Sequence, residues 1–299
     1  MNNRKQQVIN NAHHLFIEKG FQATSIQDIL DYSGISKGTF YNYFSSKNEL
    51  LIAVFKWLFS TLDKERNKVL VGKDPTDLDL FIVQVQIQMK NHHKHKLFRL
   101  FEEVFMSNDP DLKAYINKKQ FVELSWFYNR FIELFGEEKK PYLLDCAIMF
   151  TSILHRNFHF NFKAKETNLN EDEVIRYSVN RLIHMVEEVS NTGEQLLDPQ
   201  LLEKWVPTCE SAKLKLEQEV LNCIIELKKC MNKEVVNELE QQKYSELLDF
   251  IQEELFHQPT SRKFIIESAL NSLKQSSIAS FKQNLNTLKQ LIDSYLEEI

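Results

Sequence analysis

Residues 36–43 read Ser-Lys-Gly-Thr-Phe-Tyr-Asn-Tyr, residue types suited to holding a nucleic acid rather than to making or breaking bonds. Ser36, Lys37, Gly38 and Thr39 present hydroxyls, a cation and a position without a side chain, and Tyr41, Asn42 and Tyr43 follow within one helical turn. Hydroxyls, ammonium groups and phenols hydrogen-bond phosphate oxygens; lysine also suits guanine, and a carboxamide matches the edge of adenine. Thr24 and Ser25 upstream and Lys47 downstream add two hydroxyls and a cation. Catalysis has no comparable set. The chain holds no Gly-rich phosphate loop, nucleophile elbow, H-E-x-x-H run or convincing acid–base pair, so no catalytic residue and no cofactor is expected.

Two histidine groups invite a metal and are set aside. His92, His93 and His95 fall in a polar run, Asn-His-His-Lys-His-Lys, that suits a solvated connection. His155 and His159 are four apart, a spacing that puts two imidazoles on one helix face, but no cysteine or carboxylate stands at a helpful local spacing. No metal site is assigned.

The elements that must position residues 36–43 are legible around them. Val8, Ala12, Leu15 and Phe16 give residues 4–18 an apolar helical face, and Lys19-Gly20 closes it in the manner of a C-cap. Thr24 or Ser25 caps a second helix, with Asp28 at its positive end and Ile26, Ile29 and Leu30 facing inward. Ser33-Gly34 ends that helix, and Ser36 caps a short third one running to Phe44. Ser45 or Ser46, with Glu49, opens a long fourth. Phe40 and Phe44, at i and i+4, anchor the third helix and leave Tyr41, Asn42 and Tyr43 outward. Two short helices joined by a Gly-containing turn behind a supporting helix form a helix-turn-helix.

The run from Gly20 through Ser25, Ser36-Lys-Gly-Thr-Phe-Tyr-Asn-Tyr-Phe44 and Lys47 to Leu50 resembles the signature of the TetR (tetracycline-repressor) family. The resemblance covers about residues 4–58; Leu30 and Ser33 stand where alanines are usual, and Asn48-Glu49 replaces a commoner acidic pair. It implies that Thr24 or Ser25 holds a phosphate and that Ser36, Lys37, Gly38 and Thr39 enter the major groove. Lys37 and Thr39 would touch base edges, Tyr41 and Tyr43 would bracket phosphates, Asn42 would face bases, and Lys47 would reach a phosphate. It also implies a homodimer on a palindromic operator of double-stranded DNA, released by an unidentified small-molecule effector. The helices near 142–162 and 171–190 would form the dimer.

The whole chain is all-α in pattern: six glycines and six prolines punctuate 299 residues, and apolar positions recur at helical spacing. The net charge of −5 excludes a chain-wide attraction to nucleic acid, and charges nearly balance over residues 1–50, so phosphate contacts fall to a few placed groups. No apolar stretch approaches the ~20 residues of a membrane span. The first seven residues lack the apolar core of a secretory signal, and four dispersed cysteines suit a reduced cytoplasm.

Three regions are expected: a DNA-binding head at 1–58, an effector-binding and dimerisation domain at 59–190, and an additional helical tail at 191–299. The middle region is rich in aromatics, among them Phe98, Phe101, Phe105, Trp126, Phe127, Phe131 and Phe150, which suit core packing singly and a ligand pocket in combination. In the tail, Pro259 suggests a hairpin with halves 209–257 and 260–299, and Phe281, Leu285, Leu288, Ile292, Tyr295 and Ile299 form a short heptad-like seam. Two functions follow: a ligand-released repressor, or a chromosome-bound interaction factor whose tail recruits a protein.

Overall fold

The computed structural model describes residues 3–70, 73–163, 170–206, 208–234, 238–256, 261–274 and 279–297. They are helical throughout, with no strand among the described residues. Helix α1 (Asn3–Lys19) stops at Gly20, whose φ of +92° only glycine adopts readily. Helix α2 (Ile26–Ser33) opens on a reciprocal cap: Ser25 Oγ accepts from the Asp28 amide at 3.1 Å, and the Asp28 carboxylate accepts from the Ser25 amide at 2.8 Å. It ends at left-handed Gly34, and Ser36 caps α3 (Lys37–Tyr43) by accepting from the Thr39 amide at 3.1 Å. Helix α4 (Lys47–Lys68) is capped by Ser46, which accepts from the Glu49 amide at 3.1 Å.

Helices α5 (Leu78–Lys94), α6 (Leu97–Met106) and α7 (Pro110–Phe135) follow. A 3-10 helix (Glu137–Tyr142) leads into α8 (Leu143–Lys163), α9 (Glu171–Thr192) and the short α10 (Leu201–Trp205). The tail consists of α11 (Thr208–Glu234), α12 (Glu238–Phe256), α13 (Lys263–Leu273) and α14 (Ala279–Glu297).

The chain divides into two compact units, one of residues 1–66 and 84–121, the other of 67–83 and 122–299. The division runs through α5 and α7. The first unit shows why: Leu97, Leu100 and Val104 of α6, with Leu112 and Ile116 of α7, are buried in the same core as Phe16, Phe40, Phe44 and Phe55. The first four helices do not close that core themselves.

In the second unit Phe127, Phe131 and Phe150 are fully buried. They meet edge to face, with centroids 5.5 Å apart for Phe127–Phe150 and 5.6 Å for Phe131–Phe150, and Phe81 packs beside them. These aromatics form solid interior. Helices α8 and α9 pair, and Asn157 Nδ2 donates to Ser178 Oγ between them at 3.1 Å. After α9, the buried Asp145 carboxylate accepts the Leu196 amide at 2.7 Å and holds the outgoing chain against α8.

Each half of the expected tail hairpin contains two helices, so the tail is a four-helix arrangement. Pro259, on which the expected hairpin turns, lies outside the described residues, as do residues 235–237 and 275–278, which contain no Gly or Pro. Helix α14 packs along α11 and α13 on α12. The seam positions Phe281, Leu285, Leu288, Ile292 and Tyr295 are all buried in the tail's own core; Ile299 lies outside the described residues. No described helix is long and apolar enough to cross a membrane.

Truncating a ring at the centre of the aromatic cluster leaves a cavity that close-packed neighbours cannot fill. Phe150→Ala is expected to lower stability by about 3–5 kcal/mol, read as a reduced urea midpoint. An unchanged midpoint would show that this cluster is not a packed core.

Candidate nucleic-acid interface

Helix α3 has two faces because its residues repeat every 3.6 positions. Phe40 and Phe44 have essentially no exposure, their rings 5.9 Å apart in the core of the first unit. Ser36, Lys37, Gly38, Tyr41 and Asn42 are exposed, with Tyr41 at 46% despite its size. Thr39 and Tyr43 lie between these extremes, and Tyr43 also packs against the core. The Ser36 and Thr39 hydroxyls are 2.9 Å apart, so each fixes the other's direction. A Cβ added at Gly38 would meet only Ser36 Oγ, at 3.8 Å. Nothing inside the unit requires glycine at this helical position, where it costs about 1 kcal/mol relative to alanine. The unencumbered surface faces outward.

The flanking groups sort differently. Thr24 is completely buried, and its hydroxyl donates to the Gly20 carbonyl at 2.7 Å. It ties the α1–α2 turn. Ser25 is exposed, but its Oγ caps α2 and also contacts the Asp28 carboxylate. Lys19, 2.6 Å from that carboxylate, and the Ser25 contacts hold Asp28 well below the usual carboxylate range.

The Lys47 ammonium points into the head. It donates to the Phe21 and Thr24 carbonyls, each at 2.8 Å, and sits 4.5 Å from the centroid of the Phe21 ring. Partial burial lowers its pKa, with the Glu103 charge opposing that shift. The ammonium thus clamps the α1–α2 turn to the start of α4.

Partners from α6 and α7 complete the clamp, and local sequence carried no signal for them. Glu103 accepts from the Gln22 amide at 3.1 Å, and its carboxylate stands 2.8 Å from where a Gly20 Cβ would sit. Asn48 at the start of α4 hydrogen-bonds Asp109. The separations, 81 residues for Gln22–Glu103 and 61 for Asn48–Asp109, put these pairs beyond any motif.

The histidines also differ from expectation. Helix α5 continues through His92 and His93, and His95 is buried, its Nδ1 3.2 Å from His13 Nε2 of α1. Trp57 covers the pair edge-on, 5.5 Å from His13. Burial, then the neighbouring His95, His14 and Lys94, lower the His13 pKa from 6.5 to about 4. Farther along, His159 is exposed on α8.

Both arrangements can be tested. An unfolded His13 takes up its proton near pH 6.5 and the folded one only near 4, so protons favour the unfolded chain between those values. This contribution to stability is present above about pH 6.5 and is lost as the pH falls toward 4. Urea midpoints measured from pH 7 to 4 are expected to decline less steeply for His13→Gln, and an identical decline would overturn the assignment. Lys47→Met leaves the Phe21 and Thr24 carbonyls without their donor and is expected to cost about 1–3 kcal/mol of stability. Unaltered melting with weakened DNA binding would instead make Lys47 a phosphate ligand.

Residues 8–54 match the family model of bacterial regulatory proteins, tetR family. The chain is 29% identical over 196 residues to the uncharacterised HTH-type transcriptional regulator YerO of Bacillus subtilis (strain 168), covering 64% of this chain and 68% of that protein. It is 26% identical over 157 residues to the uncharacterised HTH-type transcriptional regulator YuxN of the same organism, covering 51% and 53%. It is 38% identical over 64 residues to the HTH-type transcriptional repressor KstR2 of Mycobacterium tuberculosis, covering 20% and 32%. The chain thus spans about two thirds of the first relative and half of the second. No solved structure matches. TetR-family regulators are DNA-binding transcription factors and not enzymes. Residues 8–54 thus form a helix-turn-helix domain of the tetR family, and the chain's relatives are HTH-type transcriptional regulators.

Proposed function

We propose that the protein is a homodimeric repressor that binds a palindromic operator through α3 and leaves it when a small apolar or aromatic ligand binds. The observation that carries this is the division of α3: Phe40 and Phe44 hold the helix, and Ser36, Lys37, Gly38, Tyr41 and Asn42 face outward together. In this reading Lys37 and Thr39 touch base edges, Asn42 faces a base, and Ser36 and Gly38 allow close approach. Tyr41 and Tyr43 contact phosphates, with Ser25 beyond them at the start of α2. Thr24 and Lys47 contribute indirectly by fixing the turn that aims α3.

A palindrome read by two heads places recognition helices in successive major grooves, ~34–36 Å apart. Helices α8 and α9 are the proposed dimer-forming pair. Repression is supported by the name of one relative, the repressor KstR2. Release requires that the ligand favour one of two dimer states, since equal affinity for both shifts nothing. The protein acts in the cytoplasm, on the nucleoid when bound to DNA.

The second reading, a chromosome-bound interaction factor, draws on the tail, whose α13 exposes Phe264 at 83% beside a closed core. Genome-wide mapping of bound fragments separates the two: one or a few promoter palindromes support the repressor, and dispersed sites support the interaction factor.

The division of labour along α3 predicts distinct variants. Tyr41→Ala is expected to weaken operator and random DNA alike, while Lys37→Ala or Thr39→Ala also relaxes sequence preference, each lost base contact being worth about 1–3 kcal/mol. Fluorescence anisotropy across a salt series reads both effects. Wild-type operator affinity in all three variants would show that α3 is not the reading helix.

A further inference from the structure

The turn between α1 and α2 decides where α2 begins, and α6 holds it from outside the helix-turn-helix. Lys96, where the chain enters α6, donates to the Ile17 carbonyl in the last turn of α1 at 3.4 Å. Its φ of +46° makes it the one non-glycine residue in the left-handed region among the described residues, so the backbone is strained where α6 comes in. Glu103, farther along α6, reaches the turn itself. One of its carboxylate oxygens accepts from the Gln22 amide at 3.1 Å, and the other lies 3.3 Å from Arg99 Nε. Its charge also favours the protonated form of half-buried Lys47, which bonds the Phe21 and Thr24 carbonyls of the same turn.

The turn is shaped around this carboxylate. A Cβ at Gly20 would stand 2.8 Å from one Glu103 oxygen and 3.3 Å from the other, and the φ of +92° there already favours glycine. The carboxylate has the wrong sign for a ligand of DNA, whose phosphates attract cations and repel anions. It stands close to the start of α2, where Ser25 is the proposed phosphate contact, so its value there is geometric.

We propose that Glu103 is a positioning residue for DNA binding: by accepting the Gln22 amide it fixes the start of α2 and with it the direction of α3. The inference rests on the reading of α3 as the DNA-reading helix; the contact does not. Phosphate contacts set the register from which bases are read, so a turn released from Glu103 loosens Ser25 and the helix that follows.

The test compares three variants of the full-length chain by fluorescence anisotropy, on a duplex recovered from the genome-wide mapping and on a random duplex of equal length. Glu103→Gln keeps an oxygen at the same reach without the charge, Glu103→Asp keeps the charge but falls one methylene short, and Glu103→Ala removes both. Positioning predicts that Gln restores wild-type affinity for the recovered duplex, while Asp and Ala weaken it about tenfold, a loss of ~1.4 kcal/mol. The slope of log affinity against log salt is expected to stay at the wild-type value, because no phosphate-bound cation is lost. Electrostatics alone has the opposite sign: Ala and Gln would bind both duplexes more tightly, which would overturn the proposal. Urea midpoints measured in parallel separate folding from aim. A lowered midpoint with unchanged affinity of the folded chain would make the contact purely structural and overturn it as well. Where Ala melts early, the Gln–Asp pair decides, since wild-type binding by Asp with loss by Gln would make the charge the active feature. A wild-type chain that retains no duplex would overturn the DNA reading and this inference together; a binding wild type with equal variants overturns the inference alone.

Discussion

A seven-residue helix does not hold its own shape in water, because isolated helices shorter than ~12–15 residues are marginal even with good formers. Helix α3 exists because Phe40 and Phe44 are buried, and burial of each ring supplies about 1.5–3 kcal/mol. Lys5 lies over the Phe44 ring, 4.9 Å from its centroid, adding a tie to α1. Once those two rings are inward, the helical repeat leaves positions 37, 38, 41 and 42 outward. The direction in which Lys37 and Tyr41 present themselves is thus a consequence of packing on the opposite face.

The core that receives those rings reaches beyond the first four helices. Leu100, Val104 and Leu112 are as fully buried in it as Phe16 or Phe55. Polar contacts follow the same route: Glu103 holds the Gln22 amide, and Asp109 holds Asn48. A displacement of α6 therefore strains the α1–α2 turn through Glu103 and the start of α4 through Asp109. Because Lys47 bonds the carbonyls of that turn, these contacts act as one assembly. A signal reaching α6 meets the reading head without an intervening linker.

Local features were legible in the sequence, and long-range ones were not. Ser25 with Asp28, Gly34, and Ser36 with Thr39 each announce a helix end over three or four residues, and the caps appear where those residues stand. The i, i+4 spacing of Phe40 and Phe44 was enough to separate the inner from the outer face of α3. Lys47 shows the limit. A lysine beside a helix start has the same appearance in sequence whether it faces a phosphate or folds back onto two carbonyls. His95 was equally opaque, since its partner His13 is 82 residues away. In the tail only Pro259 was conspicuous in the sequence, and no Gly or Pro stands between α11 and α12 or between α13 and α14.

The tail's chemistry follows from where its apolar residues went. Its coiled-coil-like seam along α14 is consumed within α11–α14, with Phe281 stacked near Tyr244 and Tyr295 donating to Glu217 at 2.9 Å. A seam already filled in this way is not free to zip onto another chain. Buried Glu254 accepts from Arg262 through both carboxylate oxygens and fastens α12 to the start of α13.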